Sequence, residues 1–251
     1  CLVGSEMCIR DSISTSPVIS QVWYEYGEKY HFNAEDPVRD SHGKRTADNL
    51  KIYAPQLSDQ EATEEAKRFE DRVIEVSEMN RRKLTSEPTT ENPMGTIVGC
   101  PGVKELLAEL NAGRKEDPSR RAGWAIVTSA TGDYARKAFL STGVAELPDV
   151  FIDANHVTRG KPDPQPYLTG AEHCHVDISK CIVMEDAPAG VQSGKRAGAR
   201  VLAALTTHDA QRLWDAGADW VVKDLSKVHA RWEGPHIVLT IESETNPKAS
   251  S

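Results

Sequence analysis

Residues 181–198 read CIVMEDAPAGVQSGKRAG, and the fold turns on them. CIVME (181–185) is a short apolar run of strand length that ends on two carboxylates, Glu185 and Asp186. APAGVQSGKRAG (187–198) reads as the helix that follows. Two carboxylates at a buried strand-to-helix switch repel each other and are costly without a cation. The plainer alternative makes Asp186 the N-cap of that helix.

The same alternation extends in both directions. Upstream, WAIVTSA (124–130) is a buried strand run ending in small polar residues. A helix follows near 133–141, then a short strand DVFID (149–153), then a helix from Pro164 to about 174. Downstream come VLAAL (201–205), a helix near 209–216, DWVV (219–222) and a terminal strand IVLTIE (237–242). Strands separated by short helices predict an α/β fold built on a parallel, doubly wound sheet. Ligands of such sheets bind just past the strand ends.

Residues 17–94 have a different period and predict an all-helical unit. VISQVWYEYGEKY (18–30) puts Val18, Val22, Trp23, Tyr26 and Tyr30 on one face. TADNLKIYA (46–54) is again amphipathic. Ser58 and Glu61 form a capping box that opens a charged helix over 59–82, whose polar residues read as a solvated face. TSEPTTENPMG (85–95) is a connector, Gly102–Leu110 a helix, and RKEDPSRR (114–121) a loop. The expected division is a leader over 1–16, a helical cap over 17–94, an α/β core over 95–244 and a disordered tail over 245–251.

Composition narrows the function classes. Lys+Arg 30 against Asp+Glu 38 gives a net charge of −8, which disfavours a general nucleic-acid binder. No apolar stretch approaches the roughly 18–20 residues of a membrane helix, so no membrane partner is expected. The five cysteines are scattered and form no C-x-x-C, so a reducing compartment, the cytoplasm, is expected. His173, Cys174, His175 and Cys181 invite a zinc reading, but their spacing matches no common site.

Three strand-tip segments make chemical sense together: Thr128-Ser129, Gly160-Lys161-Pro162 and Glu185-Asp186. A phosphoryl group needs a hydroxyl and backbone N–H groups, which Thr128 and Ser129 offer at a helix N-terminus. It also needs a cation beside it, and Lys161 is one. Mg2+ is held by one or two carboxylates plus substrate oxygens, a role for Asp186 with Glu185 behind it.

VTS (127–129), GKPDPQPY (160–167) and VMEDAPAGVQSGKRAG (183–198) resemble the second, third and fourth motifs of the haloacid dehalogenase superfamily. The chain is most similar to its capped phosphatases of the glycerol-3-phosphatase and 2-deoxyglucose-6-phosphatase type. SPVISQVWYEYGEKYHF (16–32), SHGKRTADNLKIYAP (41–55) and GCPGVKELLAELN (99–111) look like that group's cap and its return to the core. The resemblance implies a Rossmann-like core under a helical cap, Mg2+, a small phosphorylated metabolite as substrate, an aspartyl-phosphate intermediate and a monomer. It makes Thr128 and Lys161 catalytic, adds Ser129 to the phosphate site, and turns His42 and Arg45 of the cap toward the substrate.

The first motif departs from that pattern. The family's D-x-D-G-T would place its nucleophile at Met7, its acid–base aspartate at Ile9, its glycine at Arg10 and its threonine at Asp11. No D-x-D occurs anywhere in the chain. CLVGSEMCIRDS (1–12) also alternates badly for a strand, so the first core strand is expected to be missing or replaced. A foreign leader joined near residue 13 explains this better than a decaying enzyme, because the other motifs are whole. The chain as written is therefore expected to be inactive, with a non-catalytic phosphate- or metal-binding protein and a phosphomutase as the alternatives.

Overall fold

The computed structural model describes residues 2–5, 13–83, 96–116 and 123–242. Its centre is a parallel six-stranded sheet in the order β5-β4-β1-β6-β7-β8. The strands are β1 (Leu2–Ser5), β4 (Trp124–Val127), β5 (Phe151–Ile152), β6 (Ile182–Glu185), β7 (Arg200–Ala204) and β8 (Trp220–Val222). Trp124–Val127 is buried at every position, as a parallel strand covered on both faces must be. Helices α6 (Gly132–Thr142), α7 (Gln165–His173), α8 (Pro188–Ala197) and α9 (Ala210–Ala216) make the crossovers. α6, α8 and α9 each end on a glycine with positive φ, Gly143, Gly198 and Gly217.

Of the expectation that the first core strand is missing or replaced, the first half is corrected, since a strand is present. Leu2–Ser5 occupies the central slot, pairing Leu2↔Trp124 through Ser5↔Val127 on one side and Leu2↔Ile182 on the other. Apolar alternation was the wrong test for this strand. A middle strand of a parallel sheet is specified by backbone pairing to both neighbours, and both its faces are covered. The positions expected to replace the first motif, Met7, Ile9, Arg10 and Asp11, lie outside the described residues, as does the 245–251 tail.

The helical layer comprises α1 (Ser16–Tyr30), α2 (Glu35–Asp40), α3 (Thr46–Tyr53) and α4 (Asp59–Lys83). α1 packs on α4 through Trp23 and Phe69, whose rings lie 4.5 Å apart, and Tyr26 meets Phe69 edge-on at 5.0 Å. The capping box at the start of α4 is present in full. The Glu61 N–H donates to Ser58 Oγ at 3.2 Å, and the Ser58 N–H donates to Glu61 Oε2 at 2.8 Å. The polar side of α4 is not wholly solvated, however: Glu65, Glu70 and Ser77 are buried.

The two connectors between the layers meet each other. β2 (Ile13–Ser14) and β3 (Val98–Gly99) pair antiparallel, Ile13↔Gly99 and Ser14↔Val98. α5 (Val103–Glu116) runs past the expected end at Leu110 into the segment read as a loop. The terminal strand is half of an antiparallel hairpin, β9 (Val228–Glu233) with β10 (His236–Ile241), and the sequence reading did not include β9. The hairpin is fixed to α5 by the Trp232 indole N–H, which donates to the Leu110 carbonyl at 3.0 Å. Among the described residues no helix is long and apolar enough to cross a membrane.

Candidate functional site

The tips of β4 and β6, which flank β1, are bridged by one ammonium group. Lys161 Nζ donates to the Val127 carbonyl at 3.2 Å and lies 3.4 Å from Glu185 Oε1. Both side chains are 0% exposed. The ammonium also sits 5.3 Å from the Tyr167 ring centre, and the Tyr167 hydroxyl donates to Glu185 Oε1 at 3.0 Å. A buried ion pair is tolerable only when its remaining lone pairs are satisfied. Here Glu185 Oε2 accepts the N–H groups of Asp186 (2.9 Å) and Ala187 (3.2 Å). Gly190 makes room for this carboxylate: a Cβ there would lie 1.4 Å from Glu185 Oε1.

Asp186 is held from the loop after β7. Its Oδ2 accepts the Thr206 hydroxyl at 3.3 Å, and its carbonyl accepts the Thr207 hydroxyl at 2.8 Å. His208 Nδ1 lies 3.3 Å from the same carbonyl, and burial holds its imidazole below the ordinary value. Asp186 Oδ1 is fully buried with no hydrogen-bond partner. A buried carboxylate oxygen left in that state is costly, and a bound cation would satisfy it. The residues therefore fit a hard divalent ion in part: Asp186 can offer one oxygen, whereas both oxygens of Glu185 are already engaged. This is compatible with the expectation that Asp186 faces the ion with Glu185 behind it, since Glu185 holds Lys161, Tyr167 and the turn. Among the described residues no cluster of three or more His, Cys, Asp or Glu could hold a metal unaided.

Thr128 and Ser129 follow β4 and are both buried. The Thr128 N–H donates to the Ile152 carbonyl at 2.8 Å, continuing the ladder to β5, and its Oγ1 accepts the Ala130 N–H at 3.1 Å. Helix α6 begins only at Gly132. The expectation that Thr128 offers a backbone N–H at a helix N-terminus is therefore corrected, because the sheet uses that donor. The Ser129 hydroxyl donates to the Gly43 carbonyl at 3.1 Å, across to the helical layer.

The turn 42–45 lies over the same strand tips. The His42 ring meets the His208 ring edge-on at 5.6 Å. Gly43 adopts φ +78, and a Cβ there would come 2.8 Å from the Ala187 Cβ, so a side chain is disfavoured twice over. Arg45 pairs with Asp48 at 2.8 Å, donates to the Thr158 carbonyl at 3.4 Å and packs on Gly160. His42 and Arg45 thus lie against His208, Thr158 and Gly160. Beside them is a cavity of about 300 Å³, lined by Arg45, Asp48, Lys51, Glu70, Ser129 and Asn155 among others.

Glu70, Tyr167, Thr206, Thr207 and His208 were not singled out by sequence reasoning. Thr206–His208 lie just past a strand end, which was the available signal. The weaker candidates stay apart from the site. Cys174 and Cys181 are buried, at the far end of α7 and before β6. Burial pushes both thiols up, Cys174 to about 11.

Comparison with known proteins gives the family. Residues 21–204 match the family model described as haloacid dehalogenase-like hydrolase. Glycerol-1-phosphate phosphohydrolase 2 of Saccharomyces cerevisiae is 34% identical over 220 residues, covering 84% of this chain and 78% of that protein. Hexitol phosphatase A of Escherichia coli is 32% identical over 218 residues, covering 86% and 88%. A crystal structure of a hydrolase from Pseudomonas syringae superimposes with a TM-score of 0.70 at 19% identity, covering 89% of this chain and 93% of that one. With its sheet order, its bridged strand tips and these relatives, the chain belongs to the haloacid dehalogenase-like hydrolases.

Proposed function

We propose that this protein binds the phosphoryl group of a small polyol or sugar phosphate at the tips of β4, β1 and β6, as a phosphatase site does. The observation that carries this reading is the Lys161 ammonium, which is buried and spans from the Val127 carbonyl to Glu185. A cation fixed there neutralises phosphoryl oxygens in a site that excludes water, and such preorganised charge is the main means of promoting phosphoryl transfer. The Thr128 hydroxyl would donate to a phosphoryl oxygen, and Ser129 would act through its backbone N–H while its hydroxyl holds Gly43. Asp186 Oδ1 would hold Mg2+, which when bound supplies further neutralisation of phosphate charge. His42 and Arg45 would face the organic part of the substrate from the cap. Polyol and sugar phosphates are favoured because Arg45, Asp48, Lys51 and Asn155 line part of the adjoining cavity, beside alanines.

Hydrolysis through an aspartyl-phosphate needs a carboxylate nucleophile and an acid–base partner. The sequence carries no D-x-D with which to form that pair. The chain should therefore bind phosphate and turn it over slowly or not at all. The test is a phosphate-release assay with glycerol phosphate and hexitol phosphates in Mg2+. Baseline release is expected from this chain. A chimera in which residues 1–13 are replaced by a strand ending in D-x-D-G-T should gain turnover that Asp186→Asn abolishes. A well-folded chimera without activity would count against the reading, and so would normal turnover by the unaltered chain that depends on Asp186.

A further inference from the structure

Glu70 is a buried carboxylate on the helical layer that reaches out of its own layer and into the core. Its Oε2 accepts the Thr131 N–H at 3.2 Å and also the Thr131 hydroxyl, while Oε1 accepts the Thr46 hydroxyl at 3.0 Å. Thr131 is the N-cap of α6, yet its side chain makes no capping bond within that helix. In a capping box the N3 side chain accepts the N–H of the N-cap residue, and Glu or Gln at N3 does this well. The N3 residue of α6 is Tyr134, which has no carboxylate to offer. Glu70 fills that place from another layer.

The position of this bond gives it a functional consequence. Thr131 ends the loop that begins at Thr128, so a carboxylate on Thr131 sets the far end of the proposed phosphate-binding loop. The other end is fixed by the Thr128 N–H in the sheet. The start of α6 is also tightly seated, since a Cβ on Gly132 would come 2.3 Å from Asp153 Oδ2. Thr46, the other partner of Glu70, follows Arg45 directly. One carboxylate thus joins the turn carrying His42 and Arg45, helix α4 and the loop carrying Thr128 and Ser129.

We propose that Glu70 is a positioning residue that completes the cap of α6 from the helical layer, so that closure of this layer also sets the Thr128–Thr131 loop for phosphate. Movement of the layer away from the core would release Thr131 and loosen the loop. The functional half of this assignment rests on the phosphate reading above, and the structural half does not.

The test compares the parent with Glu70→Ala, Glu70→Gln and Thr131→Val by amide hydrogen exchange and by calorimetric titration with inorganic phosphate in Mg2+. Loss of the acceptor in Glu70→Ala should speed exchange of the Thr131 amide about tenfold, the worth of one hydrogen bond. It should also weaken phosphate binding by a similar factor. Glu70→Gln keeps an acceptor and should stay within about threefold of the parent on both readouts. Thr131→Val keeps the N–H but loses the hydroxyl, and should weaken phosphate binding less than Glu70→Ala does. If Glu70→Ala does not fold, parent-like exchange and binding in Glu70→Gln with weakening in Thr131→Val support the assignment. Unchanged Thr131 exchange in a folded Glu70→Ala overturns it, as does loss of binding in Glu70→Gln equal to that in Glu70→Ala. A parent that binds no phosphate overturns the phosphate reading, and the exchange rates still decide the cap.

Discussion

Lys161 and Glu185 are each other's counter-charge in a place water does not reach. Lys161→Met should therefore destabilise the fold by about 3–5 kcal/mol, because it strands Glu185 unpaired. Denaturant titration checks this, and adding Glu185→Gln should recover part of the loss. Gly190→Ala is a sharper case. Alanine in a helix interior normally gains about 1 kcal/mol over glycine. Here the added methyl would collide with Glu185, so the sign should reverse, with a loss of at least about 2 kcal/mol in the same measurement. The EDAPAG stretch showed in sequence that carboxylates cluster at this turn. It did not show that Glu185 is consumed by Lys161, Tyr167 and two backbone N–H groups, because Tyr167 and Lys161 arrive from other segments. Glu70 was hidden for a different reason. A charged residue in a charge-rich helix looks solvated, although it follows Phe69 and lies four residues after Ala66, beside the apolar stripe.

The elements were legible where their period was long and unbroken. Helix α4 and its Ser58 cap were readable because the capping box and the apolar stripe of Phe69, Val73 and Val76 are local features. Strand β1 was not, since its evidence is pairing with segments about 120 and 180 residues away. Gly4→Pro would remove a backbone donor from the middle of the sheet, and should cost about 3 kcal/mol or more in a thermal or denaturant melt. An unchanged melt would deny β1 its central place. Helix α4 also carries a pH dependence. Burial pushes the Glu70 carboxyl up from 4.5 to about 7. The charged and titratable groups around it are Lys44, Arg45, Asp48, Lys51, Asp59 and Tyr134 along the two adjoining cavities, and Asp71 next to it on α4. A raised carboxyl value means that the folded protein holds this proton more tightly than the unfolded chain does. The stability this group contributes is full below 4.5 and is lost as the pH rises through about 7. Glu70→Gln does not titrate, so its stability relative to the parent should rise by on the order of 1–3 kcal/mol between those limits and stay level above them. Parallel stability curves would contradict the buried state of this carboxyl.

At the scale of the whole molecule, a helical layer is set on a parallel sheet by contacts that converge on one edge of the site. Ser129 holds Gly43, Arg45 reaches the Thr158 carbonyl, His42 meets His208, and Glu70 caps α6. The two layers are joined through the paired connectors Ile13–Ser14 and Val98–Gly99. On the proposed reading this layer would act as a lid that excludes water from the reacting group. On the same reading, binding and turnover would be separable, because the groups proposed to hold phosphate and metal come from β4, β6 and the Lys161 loop, while the sequence carries no D-x-D. The most direct measurement is a calorimetric titration of the chain with inorganic phosphate, with and without Mg2+, beside Asp186→Ala. Binding that strengthens with Mg2+ in the parent and falls at least about tenfold in a folded Asp186→Ala, a loss of ~1.4 kcal/mol, is the expected result. Equal phosphate affinity in both proteins, or no effect of Mg2+ on either, would contradict it.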